Sequence, residues 1–209
     1  MRNVPVVFVH GLWLTGAESA LMRRRLASAH GLECHSFSYQ SVGRTMSDVI
    51  ERLARFVERL DAERLHFVGH SLGGLVLYRY FESYPSAPPG RVVFLGSPTV
   101  RSLSAERVGR VPVASSMIGR LVRDELARPT GTREWRHDRE LGVIAGTRPL
   151  GLGRFFARFD EQSDGTVAVS ETKLPGHHAH IALPVSHMGM LASRAVADHV
   201  GRFLANGAF

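Results

Sequence analysis

The sequence contains very little cysteine and very little lysine. Cys34 is its one cysteine, which excludes an intrachain disulfide, a zinc ribbon and a Cys-x-x-Cys redox motif, because each needs at least two cysteines. Lys173 is its one lysine, so the net charge of +7 arises from arginines that are spread from Arg2 to Arg202. Because a dispersed arginine excess is weak evidence for a nucleic-acid site, we expect no nucleic-acid partner.

Long apolar runs are absent as well. The first apolar stretch, 4–9, is interrupted by Pro5 and is too short for the hydrophobic region of a signal peptide. No stretch approaches the roughly 18 uncharged apolar residues that cross a membrane, so we expect a cytoplasmic protein. Complete G-x-x-x-x-G-K-[ST] and G-x-G-x-x-G motifs are also missing, which argues against a nucleotide-binding fold.

Short apolar runs and amphipathic segments alternate along the chain. Continuous apolar runs predict strands that are covered on both faces, and apolar residues spaced by three and four predict helices. The predicted strands lie at 4–9, 32–39, 65–68, 92–95, 141–145 and 180–183, with an ambiguous run at 167–169. The predicted helices lie at about 17–29, 46–60, 71–84, 116–127 and 191–204. This order predicts an α/β fold with a mostly parallel sheet between two helical layers, in one domain, 1–209.

A G-x-S-x-G motif, formed by Gly69, Ser71 and Gly73, lies between a predicted strand and a predicted helix. In this context the serine sits on a tight turn that projects its hydroxyl from the sheet, and the glycines remove side chains that would collide there. The helix that follows directs its amino terminus toward the serine. The motif therefore indicates a nucleophile at Ser71. The alternative is a glycine-rich turn in which the serine only caps a helix.

A serine hydroxyl needs a base, and the base needs an acid that orients it. On this type of turn the chain order is serine, acid, histidine. Asp164 follows Ser71 in chain order and lies in a short loop late in the sequence, so it is the predicted acid. Asp160 and Glu161 are the competing candidates. An ordinary Asp-Gly turn is the alternative explanation of Asp164.

His187 is the predicted base, because it lies in a loop just before the last helix. His177, His178 and His180 compete with it. A metal site at these three histidines would need a further ligand with defined geometry, so we expect neither a metal nor a cofactor.

The developing oxyanion needs backbone N–H donors, one of which comes from the residue after the nucleophile. That residue is Leu72, and the second donor is expected at Leu12, in the loop after the first strand. Trp13 is expected either to line the acyl pocket or to be buried in the core. His10 and His70, which flank these loops, are also expected at the substrate pocket.

Taken together, the motifs resemble the α/β-hydrolase superfamily, in particular its small bacterial-type lipase and esterase branch. The matching stretches are Val6–Leu12, Gly69–Gly74, Leu95–Pro98, Asp164–Val167 and Ser186–His187. The resemblance implies a nucleophile at Ser71, a base at His187, an acid at Asp164, and oxyanion donors at Leu12 and Leu72.

The sequence departs from larger members of that superfamily in two ways. Because the strand before His10 is already the first strand, the resemblance implies a three-layer fold with a minimal sheet of about six strands and no large cap domain. The segment 99–138 has room for only a small lid. Thr99–Ser102 stands where many lipases of this branch carry histidine and a small residue after Gly-(Ser/Thr)-Pro.

The function that this resemblance implies is hydrolysis of carboxylic esters through an acyl-enzyme on Ser71. A thioesterase or an acyltransferase would use the same triad, and a non-catalytic binding protein on this fold is a further alternative. The expected partner is a small-molecule ester or lipid, with possible contact to a lipid interface.

Overall fold

The computed structural model describes residues 4–100, 119–126, 133–150 and 161–209. In this part of the chain, six strands form one sheet in the order β2-β1-β3-β4-β5-β6, and every neighbouring pair is parallel. The strands are β1 Val6–Val9, β2 Cys34–Phe37, β3 His66–His70, β4 Val92–Leu95, β5 Leu141–Gly146 and β6 Ala179–Leu183. All six predicted strands are confirmed. The ambiguous run 167–169 contributes only one isolated bridge, between Ser163 and Ala168.

Helices cover both faces of the sheet and complete the three layers. They are α1 Ala20–His30, α2 Met46–Glu58, α3 Leu72–Ser83, α4 Gly119–Leu126, α5 Gly189–Ala192 and α6 Arg194–Asn206. Successive side chains of β1 point to opposite faces of the sheet and so contact different helical layers. Val7 and Val9 pack with α2 and α3, whereas Val6 and Phe8 pack with α1, α5 and α6. The central strands are therefore buried on both sides, which accounts for their continuous apolar sequences.

Local signals in the sequence set the helix ends. At α2, the Thr45 hydroxyl accepts a hydrogen bond from the Asp48 N–H, and the Asp48 carboxylate accepts one from the Thr45 N–H. This capping box satisfies two donors that the first turn leaves unpaired. At its other end, α1 stops at Gly31, which adopts a left-handed conformation with φ 64°.

The possible lid, 99–138, lies largely outside the described residues. Two described parts of it are anchored to the core: Leu121 of α4 is fully buried, and the Trp135 ring contacts Phe81 and Phe94 at centroid distances of 5.7 Å. Glu125 of α4 also pairs with Arg79 of α3. These parts of the segment therefore pack as fixed structure.

Cys34 begins the edge strand β2 and is half-buried against α1, where burial raises the pKa of its thiol to about 11. Among the helices that the structure describes, none combines the length and apolar character needed to cross a membrane.

Candidate active site

Ser71 occupies a strained turn between β3 and α3. Its backbone has φ 55° and ψ −121°, a conformation that residues other than glycine rarely adopt. The Ser71 N–H donates to the carbonyl oxygen of Leu95 at 2.9 Å, which ties the turn to the end of β4. Such strain persists only where surrounding contacts fix the backbone, so this turn is a candidate functional position.

The glycines of the motif are required by close packing around this turn. A side chain at Gly73 would overlap the carbonyl oxygen of Val9 in β1. A Cβ at Gly69 would lie 2.7 Å from the backbone nitrogen of Gly74. The first turn of α3 therefore lies directly against the ends of β1 and β3, as the sequence motif predicted.

Asp164 and His187 form a buried hydrogen-bonded pair. The Nδ1 atom of His187 lies 2.7 Å from Oδ2 of Asp164, and the His187 N–H donates to the Asp164 carbonyl oxygen at 3.0 Å. The other carboxylate oxygen, Oδ1, accepts from the backbone N–H groups of Thr166 and Val167 at 2.8 and 2.7 Å. These contacts fix the carboxylate and orient the imidazole.

Gly96, at the end of β4, brings this pair next to the serine turn. A Cβ on Gly96 would lie 2.9 Å from Asp164 Oδ2 and 3.2 Å from His187 Nδ1. Leu95, the preceding residue, accepts the hydrogen bond from the Ser71 backbone. The structure thus brings the three predicted residues to one sheet edge, at the carboxyl ends of the strands, where open α/β sheets bind ligands.

His70 supports the loop that carries His187. Its Nε2 lies 3.1 Å from the His187 carbonyl oxygen, so this nitrogen must donate, and the two ring centroids are 4.8 Å apart. Burial lowers the pKa of His70 to about 3, with a smaller contribution from the neighbouring His187. We expected His70 at the substrate pocket; the structure instead buries it beneath the His187 loop, with 1% of its surface exposed.

His10 likewise holds the loop that follows β1. Its Nδ1 donates to the carbonyl oxygen of Gly11 at 2.8 Å, its Nε2 accepts from the Tyr39 N–H at 3.1 Å, and the two rings stack. The Tyr39 hydroxyl donates to the His10 carbonyl oxygen at 2.8 Å. Burial lowers the pKa of His10, and this fully buried ring fixes the loop from below rather than facing a pocket.

The two expected oxyanion donors lie in segments that meet at Ser71, one in the loop after β1 and one in the first turn of α3. Leu72 is the first residue of α3, where helix N–H groups lack intrahelical acceptors. Gly11 precedes Leu12, and a Cβ on Gly11 would lie 3.0 Å from the Cβ of Ser71. The backbone at 11–12 therefore runs directly beside the serine.

Trp13 is exposed over 58% of its surface, which excludes the expectation that it is a core residue. It also has a left-handed backbone conformation, with φ 60°, and its N–H donates to the Ser41 hydroxyl at 2.9 Å. Trp13 lines a groove of about 490 Å³ formed by the loops after β1 and β2, which is called the site groove below although Ser71 and His187 are not among its lining residues. Its lining residues are Trp13, Leu14, Thr15, Ser38, Tyr39, Gln40, Ser41, Val42 and Arg52.

The competing candidates contact other groups. Glu161 accepts a hydrogen bond from the Ser170 hydroxyl at 2.5 Å, and Asp160 lies outside the described residues. Of the competing histidines, His177 contacts the Leu174 carbonyl oxygen, His178 lies near the Glu140 carboxylate, and His180 contacts the Thr172 hydroxyl. In the described ranges, no group of three or more His, Cys, Asp or Glu side chains is arranged to hold a metal ion.

The parallel six-stranded sheet, its two helical layers and the polar residues at its carboxyl edge define a compact α/β hydrolase fold, as the sequence predicted. The sequence model of the alpha/beta hydrolase family matches residues 6–204. The chain therefore belongs to the alpha/beta hydrolase family.

Several solved structures are similar to this chain. The lipase BlEst2 from Bacillus licheniformis, in its mature form, has a TM-score of 0.73 and 17% identity, and the match covers 99% of this chain and 93% of that one. The metagenomic carboxyl esterase MGS0156 has a TM-score of 0.68 and 16% identity, with coverage of 99% and 77%. The phospholipase PlaB from Legionella pneumophila has a TM-score of 0.76 and 17% identity, with coverage of 98% and 58%. At these identities the likeness shows the fold.

Proposed function

We propose that the protein hydrolyses carboxylic esters with Ser71 as nucleophile, His187 as base and Asp164 as orienting acid. The observation that carries the proposal is the buried His187–Asp164 pair beside the strained Ser71 turn, with both in contact with the end of β4. A serine alone on such a turn would be a weak nucleophile, whereas an oriented imidazole activates it.

The tautomer of His187 follows from its contacts. Because Nδ1 faces the Asp164 carboxylate, it carries a proton, which leaves the Nε2 lone pair as the base. In the proposed first step the Ser71 hydroxyl oxygen attacks the ester carbonyl carbon while Nε2 takes the hydroxyl proton. Asp164 stays ionised and stabilises the imidazolium.

The N–H groups of Leu12 and Leu72 are the proposed donors to the oxyanion that forms in this step. When the tetrahedral intermediate collapses, the carbon–oxygen bond to the alcohol breaks, and His187 gives its proton to the leaving oxygen. A water molecule that loses its proton to His187 then attacks the acyl-enzyme and releases the acid and Ser71.

Exposed apolar side chains around this edge support an apolar acyl group or a lipid as substrate. Trp13, Val42, Leu150 and Met188 are each more than 40% exposed, and they lie in the loops that follow β1, β2, β5 and β6. Large exposed apolar side chains at this edge are available for contact with an apolar partner. The similar structures named as lipases and esterases agree with this choice.

The test replaces the nucleophile. Ser71→Ala should lower kcat/KM for p-nitrophenyl esters by at least about 10⁴-fold and abolish labelling by a fluorophosphonate probe, because no hydroxyl remains to be acylated. Ser83→Ala, which changes an exposed serine at the end of the same helix, is the matched control and should behave as the unmodified protein. Activity retained by a folded Ser71→Ala protein would contradict the proposal.

A further inference from the structure

A second groove, called the arginine groove here, lies between the edge strand β2 and α2. It has a volume of about 580 Å³. Its lining residues are Ser36, Phe37, Ser38, Arg44, Arg52, Arg55, Phe56 and Arg59. Four of the eight lining side chains are therefore guanidinium groups, and the groove holds a dense positive charge.

Helix geometry arranges three of these arginines in a row. Arg52, Arg55 and Arg59 are separated by three and four residues, so they share one face of α2 and its carboxyl end, over about 10 Å of helix axis. By the same periodicity, the three carboxylates of α2, Asp48, Glu51 and Glu58, lie three or four residues from an arginine of this row and are therefore its neighbours on the helix surface. None of these carboxylates is among the lining residues of the groove.

No ion pair between the residues that the structure describes involves an arginine of the groove. In the part of the chain that the structure describes, no carboxylate lies within ion-pair distance of Arg44, Arg52, Arg55 or Arg59. Four arginines outside the groove do form such pairs: Arg79 with Glu82 and Glu125, Arg91 with Glu140, Arg133 with Glu125 and Arg136 with Glu134. Four like charges along one groove repel one another, and a bound anion would relieve that repulsion.

The arginine groove adjoins the site groove. Ser38 and Arg52 line both grooves, and the lining of the site groove includes Trp13, the residue after the proposed oxyanion donor Leu12. A molecule that occupies both grooves would therefore reach from the arginine row to the edge of the sheet that holds Ser71.

We propose that the arginine groove binds phosphate groups on the leaving group of the substrate, an inference that rests on the proposed ester hydrolysis. Guanidinium groups form paired hydrogen bonds to phosphate oxygens, and four of them suit a ligand with more than one phosphate charge. The Ser71 oxygen forms an ester bond to the acyl carbon, and the carbon–oxygen or carbon–sulfur bond of the substrate breaks; the phosphate leaves intact on the alcohol or thiol, which takes its proton from His187. Such phosphate could belong to a soluble acyl-coenzyme A or to an anionic phospholipid in a bilayer.

The binding experiment uses Ser71→Ala protein, so that nothing is turned over. Coenzyme A is titrated by calorimetry, and vesicles of phosphatidylcholine with phosphatidylglycerol are tested by co-sedimentation. Adding Arg52→Gln and Arg55→Gln should weaken binding of at least one of the two probes by about 10-fold or more. Adding Arg24→Gln and Arg64→Gln instead, which lowers the net charge equally outside the groove, should leave binding unchanged. Loss of coenzyme A binding identifies a soluble ligand, and loss of vesicle binding alone identifies a bilayer.

The kinetic experiment compares butyryl-coenzyme A with p-nitrophenyl butyrate in protein that keeps Ser71. The ratio of their kcat/KM values should fall about 10-fold in the Arg52→Gln, Arg55→Gln variant and stay constant in the charge-matched control, if coenzyme A is the probe that binds. Failure of both probes to bind, or equal binding by the groove and control variants, overturns the phosphate proposal even if esters are hydrolysed. Groove-dependent binding without any ester hydrolysis supports the groove and refutes the proposed catalytic function.

Discussion

Two buried carboxylates in this molecule differ in their partners: one faces a histidine and the other faces arginines. Asp164, at the carboxyl edge of the sheet, faces the imidazole of His187 and two backbone N–H groups. Glu125, on α4, faces the guanidinium groups of Arg79 and Arg133, at 2.8 and 2.7 Å. Both carboxylates are at least 94% buried.

The partner determines what each cluster can do. Burial alone would lower the pKa of Arg79, but its hydrogen bonds to Glu125 and Glu82 outweigh burial and raise it, so the positive charge on α3 is permanent. A histidine imidazole, in contrast, can accept a proton at one ring nitrogen and donate one from the other. The Glu125 cluster can therefore only hold two helices together, whereas the Asp164 pair can also move a proton.

The largest expected effect comes from removing the charge of Asp164. Asp164→Asn should lower kcat/KM for p-nitrophenyl esters by about 10³- to 10⁴-fold, or roughly 4–5.5 kcal/mol, because the amide no longer holds His187 in the productive tautomer. Glu161→Gln, at the competing acid, is the control and should keep full activity. If the Glu161 variant were the inactive one, the acid would be misassigned.

The next largest effect is expected on stability, in the other cluster. Glu125→Gln should lower the free energy of unfolding by about 3–5 kcal/mol, because Arg79 and Arg133 lose the buried carboxylate between them and Arg79 keeps the more exposed Glu82. Glu134→Gln breaks the exposed pair with Arg136 and should cost less than about 1 kcal/mol. Urea unfolding of the two variants gives the comparison, and equal losses would show that burial of Glu125 does not matter.

A smaller effect is expected on how the free energy of unfolding depends on pH, and it should come from the proposed catalytic edge and not from the Glu125 cluster. The pKa of His70 is about 3 in the folded protein and about 6.5 when unfolded, so between these values only the unfolded chain binds a proton there. Stability is therefore lost as the pH falls below 6.5, by about 2 kcal/mol at pH 5 for this group.

The measurement is urea unfolding at pH 7 and pH 5. His70→Gln, which removes the titrating ring and keeps an N–H donor, should lose less stability between the two pH values than the unmodified protein. Glu125→Gln should leave this pH dependence as it is, since guanidinium groups do not titrate in this range. An unchanged pH dependence in the His70 variant would contradict the assignment of a neutral buried ring.

The smallest effect is expected at the loop after β1. Tyr39→Phe keeps the ring stacked on His10 but removes the hydroxyl that donates to the His10 carbonyl, which should cost about 1 kcal/mol of unfolding free energy. Tyr84→Phe is a suitable control, because its hydroxyl has no hydrogen bond to any residue that the structure describes. Thermal unfolding of both variants measures the difference, and equal melting temperatures would argue against a role for this hydrogen bond.

The features predicted best from the sequence are those whose place in the fold follows from chain order, namely the strands and the three proposed catalytic residues. The continuous apolar runs predicted all six strands, because a parallel sheet covered on both faces needs such runs. The order of Ser71, Asp164 and His187 also placed them at one edge of the sheet, since parallel strands present their carboxyl ends together.

Side-chain direction was harder to predict. His10 and His70 were expected at the substrate pocket, yet both turn inward and hold loop carbonyl groups, and a sequence does not show which way a loop side chain points. The arginine groove was missed because the arginines were judged as a dispersed set. The spacing of Arg52, Arg55 and Arg59 on a predicted helix was the signal that could have revealed it.

The half-buried Cys34 gives the protein a built-in reporter of unfolding. Its thiol pKa of about 11 in the folded state compares with about 8.5 in an unfolded chain, so at pH 8 the reactive thiolate is on the order of 10²-fold scarcer in the folded form. Because the sequence has no second cysteine, a thiol-reactive dye should label unfolded molecules far faster than folded ones. The labelling rate can therefore follow the stability of each variant without any added probe site.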